Sequence, residues 1–387
     1  MNPFLPRVRQ GVIHRGRIEM KVKWTAFRIL VAAVFAGQAA LLSQNAADPG
    51  APGRIREPKP RRFFSDSSFW NQPIPENPEI DPKSDYYISL LAGDPSGKNF
   101  GINLTRYAIP VFEVDDKTPR VRVKHHFLSE RERKGWKTDR TVFGHGREFD
   151  AGPVPIPAAA VPDTGSDMHL ALVDWNRMVA WDMWLARKLP DGTWESNTGM
   201  KYALDGPGVF DPSKFSVKDG ESIHFHGPGR AAGVPIIAGL ILYDEVAAGE
   251  IAHKIACATR FNAYKEFTFP ATWTDGHLPG GIPEGALIQL DPSLDLSQFD
   301  LLPGERVVAR ALQKYGMVNV DNAGGSPLYG ENLNNDPGGR SWNGILREWD
   351  GGIVSIPVQH YRVLKIRSVV HSGDGRRLTK NKDDIRF

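Results

Sequence analysis

From Phe63 onward the apolar residues of this chain come in short runs fenced by Gly, Pro, Asn and Asp. Runs of that length suit strands, whereas a helix needs periodic apolar residues sustained over about ten or more positions. Examples are 120–123, 169–173, 179–185, 236–242, 251–257, 286–290, 317–320 and 361–369. With 39 Gly and 30 Pro to break the chain, this spacing predicts a mainly β, α+β body. The expected core is an antiparallel β-sandwich or jelly roll with a few peripheral helices. Strands dominate, and no alternation of strand and helix signals a parallel sheet.

Three helices are signalled. Asp81 can cap one, with Pro82 first, apolar Tyr87, Ile88, Leu90 and Leu91, and Gly93 as the stop. A second runs from about Gly304 to Tyr315, with Val307, Val308, Ala311, Leu312 and Tyr315 at helical spacing and Gly316 as the C-cap. Asp244 can cap a short third over 245–248. No repeat of fixed period is evident.

The net charge of +3 hides an asymmetry. Residues 1–62 carry 12 Lys/Arg against 3 Asp/Glu, which leaves 36 basic and 42 acidic residues for 63–387. An acidic body argues against a nucleic-acid partner, which needs clustered Lys and Arg. Within the first segment, Lys21, Lys23 and Arg28 precede an apolar run from Ile29 to Leu42. As a helix that run rises about 21 Å, short of a hydrocarbon core of about 30 Å. The pattern is that of a secretory signal, with Gly37-Gln38-Ala39 as a small-residue cleavage site and Met20 as the natural start. The competing reading is an uncleaved anchor reaching back to Trp24. Residues 1–46 are thus read as signal or anchor, 47–62 as a Pro/Gly/Arg-rich linker and 63–387 as a single domain. A secreted, periplasmic or cell-surface location follows, with membrane contact only through the N-terminus. The lone Cys257 excludes an intrachain disulfide and reads as buried and inert.

Gly-rich phosphate loops, Gly-x-Ser-x-Gly and His-Glu-x-x-His are absent. The chemistry-bearing pattern is a hairpin instead. Pairing Asp174 with Val179 across the loop 175–178 sets Ala171 opposite Asp182 and His169 opposite Trp184. Leu170, Leu172, Val179, Trp181, Met183 and Leu185 then share a core face. Asp167, His169, Asp182 and Trp184 share the other, separated by alanines that leave room above the sheet. Two carboxylates, an imidazole and an indole on an open face suit glycosidic cleavage. His169 beside an acid can instead carry a proton or ligate a metal. A one-residue slip would separate these groups.

Further candidates are Glu245 and His253, Asp321 at a strand end, Arg230 as a cation for a uronate, and Tyr329 with Asn332–Asn335 for sugar hydroxyls. Trp70 and Trp184 are candidate stacking platforms. Helix-dipole placement also explains Glu245, and a core hydrogen bond also explains His253. His224-Phe225-His226 sets two imidazoles on one side of a strand, too few ligands for a metal site.

Several strings resemble the motifs of a family of secreted bacterial β-rich proteins. They are Trp70-Asn71-Gln72-Pro73-Ile74-Pro75, Gly165-Ser166-Asp167-Met168-His169 and Tyr243-Asp244-Glu245 followed by Gly249-Glu250 and His253. Val154-Pro155-Ile156-Pro157 and Ala311–Gly316 with Asp321 complete the likeness, which covers about 65–325. It implies export and a shared domain and brings no activity with it. It also implies a carboxylate at the Asp182 position, which carries Glu in the similar proteins. The strings at 124–148 and 214–230 depart from the pattern, so nothing is carried over to His224 or His226.

The sequence therefore leads to the expectation of an exported enzyme that cleaves glycosidic bonds in a polysaccharide or cell-envelope glycan. Hydrolysis would use Asp182 with Asp167 or Glu245. Elimination on a uronic-acid glycan would use His169 as base, with Arg230 neutralising the carboxylate. A non-catalytic glycan-binding module and a histidine-based metalloenzyme are the alternatives. No cofactor is required by the sequence.

Overall fold

The computed structural model describes residues 61–126, 153–210 and 229–371. The leader, the linker as far as Pro60, His224 and His226 lie outside them. The body is a β-rich α+β structure with few helices and several mixed sheets, none of them closed. A central sheet of six strands runs in the order Gly101–Asn103, Pro327–Tyr329, Ile255–Thr259, Met317–Asn322, Leu287–Leu290, Tyr361–Val363. A four-stranded sheet orders Thr198–Ala203, Val179–Trp184, Leu170–Asp174 and Val111–Glu113. A small third sheet joins Ile282–Glu284, Asn262–Phe267 and Val370–His371.

The expected all-antiparallel pairing is corrected. Ile255–Thr259 runs parallel to Met317–Asn322, and Gly101–Asn103 parallel to Pro327–Tyr329. Val111–Glu113 is also parallel to Leu170–Asp174. Parallel neighbours need long returns, and here loops as well as the Pro303–Lys314 helix supply them.

The central sheet separates two cores. Ala256, Ala258, Val318, Val320 and Tyr329 join the cluster that contains the four-stranded sheet. Ile255, Cys257, Met317 and Leu328 face the helices instead, packing with Leu91, Val308 and Leu312. Strand alternation explains the split along 255–258. Cys257 is buried, and burial pushes its thiol up, as an inert core cysteine requires.

The Pro303–Lys314 helix matches its signals, and Gly316 takes φ +73° just beyond it. The first helix spans Ser84–Ala92 and starts later than expected. Asp81 Oδ1 accepts from Lys83 N at 2.8 Å while Oδ2 accepts from Ile366 N at 3.0 Å, so this carboxylate ties a turn to the segment that follows the Tyr361–Val363 strand. The short helix is Tyr243–Ala248, which places Asp244 inside it and not at its cap. The apolar run 236–242 is no strand. It is buried as turns, with one bridge from Ile241 to Gly330. None of the helices among the described residues is long and apolar enough to cross a membrane.

Candidate functional site

The hairpin has the expected register: Asp174 pairs with Val179, Ala171 with Asp182 and Leu170 with Met183. Asp174 fixes its loop by accepting from Asn176 N and Arg177 N at 3.0 and 2.9 Å. Beyond Leu170 and Met183 regular pairing stops. Met168 and Leu185 take φ of +44° and +53°, and the N–H groups of Leu185 and Ala186 donate to the carbonyls of Asp167 and Met168. Left-handed backbone at two non-glycine residues is costly and is often found at functional sites.

The middle of the polar face is closed, which corrects the expectation of an open hollow above Asp182. The alanines do leave room, but the chain itself fills it. Asp182 is 0% exposed. Tyr202 Oη donates to its Oδ1, and Ile236 N donates to Oδ2 at 2.6 Å. Burial, opposed by these donors and the Arg230 charge, pushes its carboxyl up to about 7. With its oxygens committed to buried donors, Asp182 clamps the 229–236 loop onto the hairpin and has no access to substrate.

The other predicted groups gather one step further along. Gly229 passes so close to the sheet that a Cβ there would lie 3.8 Å from both Asp182 Cβ and His169 Cδ2. His169 Nε2 donates to Gly229 O at 3.3 Å. Arg230, 1% exposed, stacks its guanidinium 3.5 Å above the Tyr329 ring. Its Nη2 donates to Ile236 O at 3.1 Å, and its Nη1 lies 3.8 Å from Asp321 Oδ2. Nε and Nη1 have no hydrogen-bond partner among the described residues. Tyr329 Oη donates to Asp321 Oδ2 at 3.4 Å. Trp184 Nε1 donates to Asp167 Oδ1 at 3.5 Å. His169, Arg230 and Tyr329 form a buried floor, whereas Asp167, Trp184 and Asp321 reach solvent in part.

A register skip aims Asp321. Cys257 pairs with Asn319, but Ala258 pairs with Asp321, so Val320 is an extra residue on its strand. Regular alternation would turn Asp321 away from Val320. The skip brings it to the side of Ala258 and Tyr329. The loop holding Arg230 is fastened at the same point, Ala232 N donating to Val320 O at 3.1 Å.

Two carboxyls that sequence reasoning missed complete the group. Asn262 is the hub: its Nδ2 donates to Glu284 Oε1 at 2.9 Å and to Asp321 O at 2.6 Å. Asn319 Nδ2 in turn donates to Asn262 Oδ1 at 2.8 Å. The 274–278 loop lies on the Asn262 backbone, where Leu278 N donates to Asn262 O and Gly276 has no space for a Cβ. That sets exposed Asp275 beside buried Glu284, whose Oε2 has no fully formed hydrogen bond. Glu284 in Ile-Pro-Glu-Gly and Asp275 in Thr-Asp-Gly both read as turns, and no local signal marks them as a pair.

The electrostatics invert the ordinary order of acid and base. Burial, followed by the Arg230 charge, pulls His169 down to about 4. Burial, followed by the Asp275 charge, pushes Asp321 up to about 8, with Asp167 adding to the rise against Arg230. Glu284 is raised well above the usual carboxylate range by burial, Asp275 and Asp321. Asp275 is raised as well, by desolvation first. At neutral pH the imidazole is therefore uncharged and the Asp321 carboxyl holds its proton.

Other expected residues lie apart from this group. Trp70 is 1% exposed and its indole donates to Gly208 O at 2.8 Å, so it is a core residue with no free face for a sugar. Glu245 and His253 form a buried pair of their own. His253 Nε2 lies 2.9 Å from Glu245 Oε2, and Nδ1 lies 2.8 Å from Lys254 O. Both nitrogens face acceptors, which favours the imidazolium. Burial opposes that charge, but Glu245 outweighs it and the histidine is raised. A shallow cleft with Pro110, Val161, Asn332, Asn334 and Asp336 among its walls includes the expected asparagine loop and none of the Arg230 group. No group of three or more His, Cys, Asp and Glu among the described residues is arranged to hold a metal ion. No protein-family model, curated protein or solved structure matches this chain.

Proposed function

We propose that this chain is an exported polysaccharide-acting hydrolase, with the central and four-stranded sheets as the layers of a sandwich-like core. One observation carries the reading: Asp321, partly exposed, keeps its proton up to about 8 within the same cluster as Asp167. A carboxyl poised as an acid near a second carboxyl is what glycosidic hydrolysis uses. Asp321 donates its proton to the leaving glycosidic oxygen. Asp167, oriented by Trp184, takes a proton from the attacking water. Arg230 and Tyr329 position Asp321, and Trp184 offers a partly exposed ring to a sugar face. Elimination is disfavoured, because a uronate would meet Asp167, Asp275 and Asp321 before it reached buried Arg230.

The test is a glycan panel assayed with the secreted protein and the Asp321→Asn and Asp167→Asn variants. Each substitution should lower kcat about 10²–10⁴-fold while the variant still binds glycan. Activity should fall as pH rises through about 8, where Asp321 loses its proton. Full activity in either variant sinks the assignment. A parent that binds glycans but cleaves none identifies a binding module instead. N-terminal sequencing of the secreted protein tests export, and an intact Met1 or Met20 on membranes refutes cleavage of the leader.

A further inference from the structure

The Arg230 guanidinium is buried with donors to spare. Its side chain is 0% exposed. Nη2 donates to Ile236 O at 3.1 Å, while Nε and Nη1 have no hydrogen-bond partner among the described residues. A buried charge with idle donors is costly unless a negative group meets it. Such a group stands close by. Asp321 Oδ2 lies 3.8 Å from Nη1, about 1 Å beyond the length of a charge-assisted hydrogen bond. The guanidinium is not free to close that gap. The Tyr329 ring lies 3.5 Å from it, Ile236 O holds Nη2, and Ala232 N ties the loop to Val320 O. Asp321 is freer, with its side chain 17% exposed and Oδ2 meeting Tyr329 Oη at a loose 3.4 Å. A protonated carboxyl gains little from moving toward a cation. An ionised one gains much, the more so because Asp275, Asp167 and Glu284 surround it with other acids.

We propose that Arg230 and Asp321 are a latent ion pair, open while Asp321 holds its proton and closed on Arg230 Nη1 once that proton is given up. The inference rests on the reading of Asp321 as the acid of glycosidic cleavage and adds a movement to it. As the bond from the sugar to the leaving oxygen breaks, the Asp321 proton passes to that oxygen and the negative charge stays on the carboxylate. The attacking water gives its oxygen to the sugar and a proton to Asp167. Asp321 then swings about 1 Å onto Arg230 and away from the product. The site resets when Asp167 releases its proton and solvent reprotonates Asp321. Arg230, buried beneath Asp321, is a positioning residue. Its full bond forms only as the acid ionises, so it serves the chemical step and not glycan binding.

The experiment follows the aspartate carboxyls of the full secreted chain by carbon-13 NMR between about pH 5 and 10. Asp321→Asn identifies the Asp321 signal. Arg230→Gln should move that titration upward by at least about one pH unit. Arg230→Lys, which keeps the charge, should move it by about half as much or less. Should Arg230→Gln fail to fold, the unaltered chain decides. Ionisation of Asp321 should shift the nitrogen-15 resonances of the Arg230 guanidinium, and the shift should vanish in Asp321→Asn. On a cleaved glycan, Arg230→Gln should lower kcat about tenfold or more with KM within about twofold. An Asp321 titration unmoved by Arg230→Gln, or guanidinium resonances blind to it, overturns the proposal. So does a raised KM with kcat kept, which would put Arg230 on the substrate. If no glycan is cleaved, the hydrolase reading falls and the titrations still decide the ion pair.

Discussion

Asp182→Ala separates a structural carboxylate from a chemical one. The substitution strands two buried donors, Tyr202 Oη and Ile236 N, which have Asp182 as their acceptor. Leaving a buried donor unsatisfied costs about 1–3 kcal/mol, so the pair costs about 2–6 kcal/mol. A central value of ~4 kcal/mol lowers the folding constant about a thousandfold. The loss is best read by equilibrium urea unfolding near pH ~4, close to the ordinary carboxylate value and well below the value of about 7 to which burial pushes this carboxyl, so that proton uptake on folding contributes little. Tyr202→Phe alone should cost only about 1 kcal/mol, since it removes one donor with its bond. A loss below about 1 kcal/mol for Asp182→Ala would refute the clamp. So would a variant of undiminished stability that had lost cleavage, which would return Asp182 to the chemistry the hairpin pattern suggests.

Other outcomes follow from the same geometry. His253→Ala leaves Glu245 buried without its cation and should cost about 3–5 kcal/mol by thermal or urea unfolding; a cost under 1 kcal/mol would mean the pair is solvated. Because His253 is raised, its contribution is complete below the unfolded value and is lost as pH climbs through the folded one. Asp321 holds its proton more firmly folded than unfolded, so stability should fall between about pH 4 and 8, and Asp321→Asn should flatten that fall. His169, pulled down to about 4, acts with the opposite sign between there and about 6.5. Trp70→Phe should cost about 1 kcal/mol through the lost bond to Gly208 O and leave glycan affinity unchanged; weaker binding would restore Trp70 as a platform. Gly316→Ala should destabilise by at least about 1 kcal/mol, since φ is +73° and the new Cβ would sit 2.7 Å from Ile288 O.

The hairpin register from Leu170 and Met183 to the loop was legible because both strands alternate and the loop length leaves one sensible register. The expected pairing of His169 with Trp184 is absent, the backbone turning left-handed at Met168 and Leu185. What covers the hairpin was not legible. Alternation says which side a group is on, and the run that buries Asp182, residues 236–242, carries the same apolar signal as a strand. Pairing direction was misread because short apolar runs look alike whether their neighbours run parallel or antiparallel. Asp321, Arg230 and Tyr329 could be chosen one at a time but not assembled, because a skipped residue and a distant loop bring them together. Asp275 and Glu284 escaped entirely, since Asn262 joins them from another strand.

The extra residue on the strand ending in Asn322 has one more consequence. Shortening the chain there by a single position, with every other side chain kept, would restore an unbroken zigzag and swing the acid to the opposite surface of the sheet. Homologues of this chain that lack that insertion would keep the look of the cluster on paper while having no acid beside Arg230 and Tyr329.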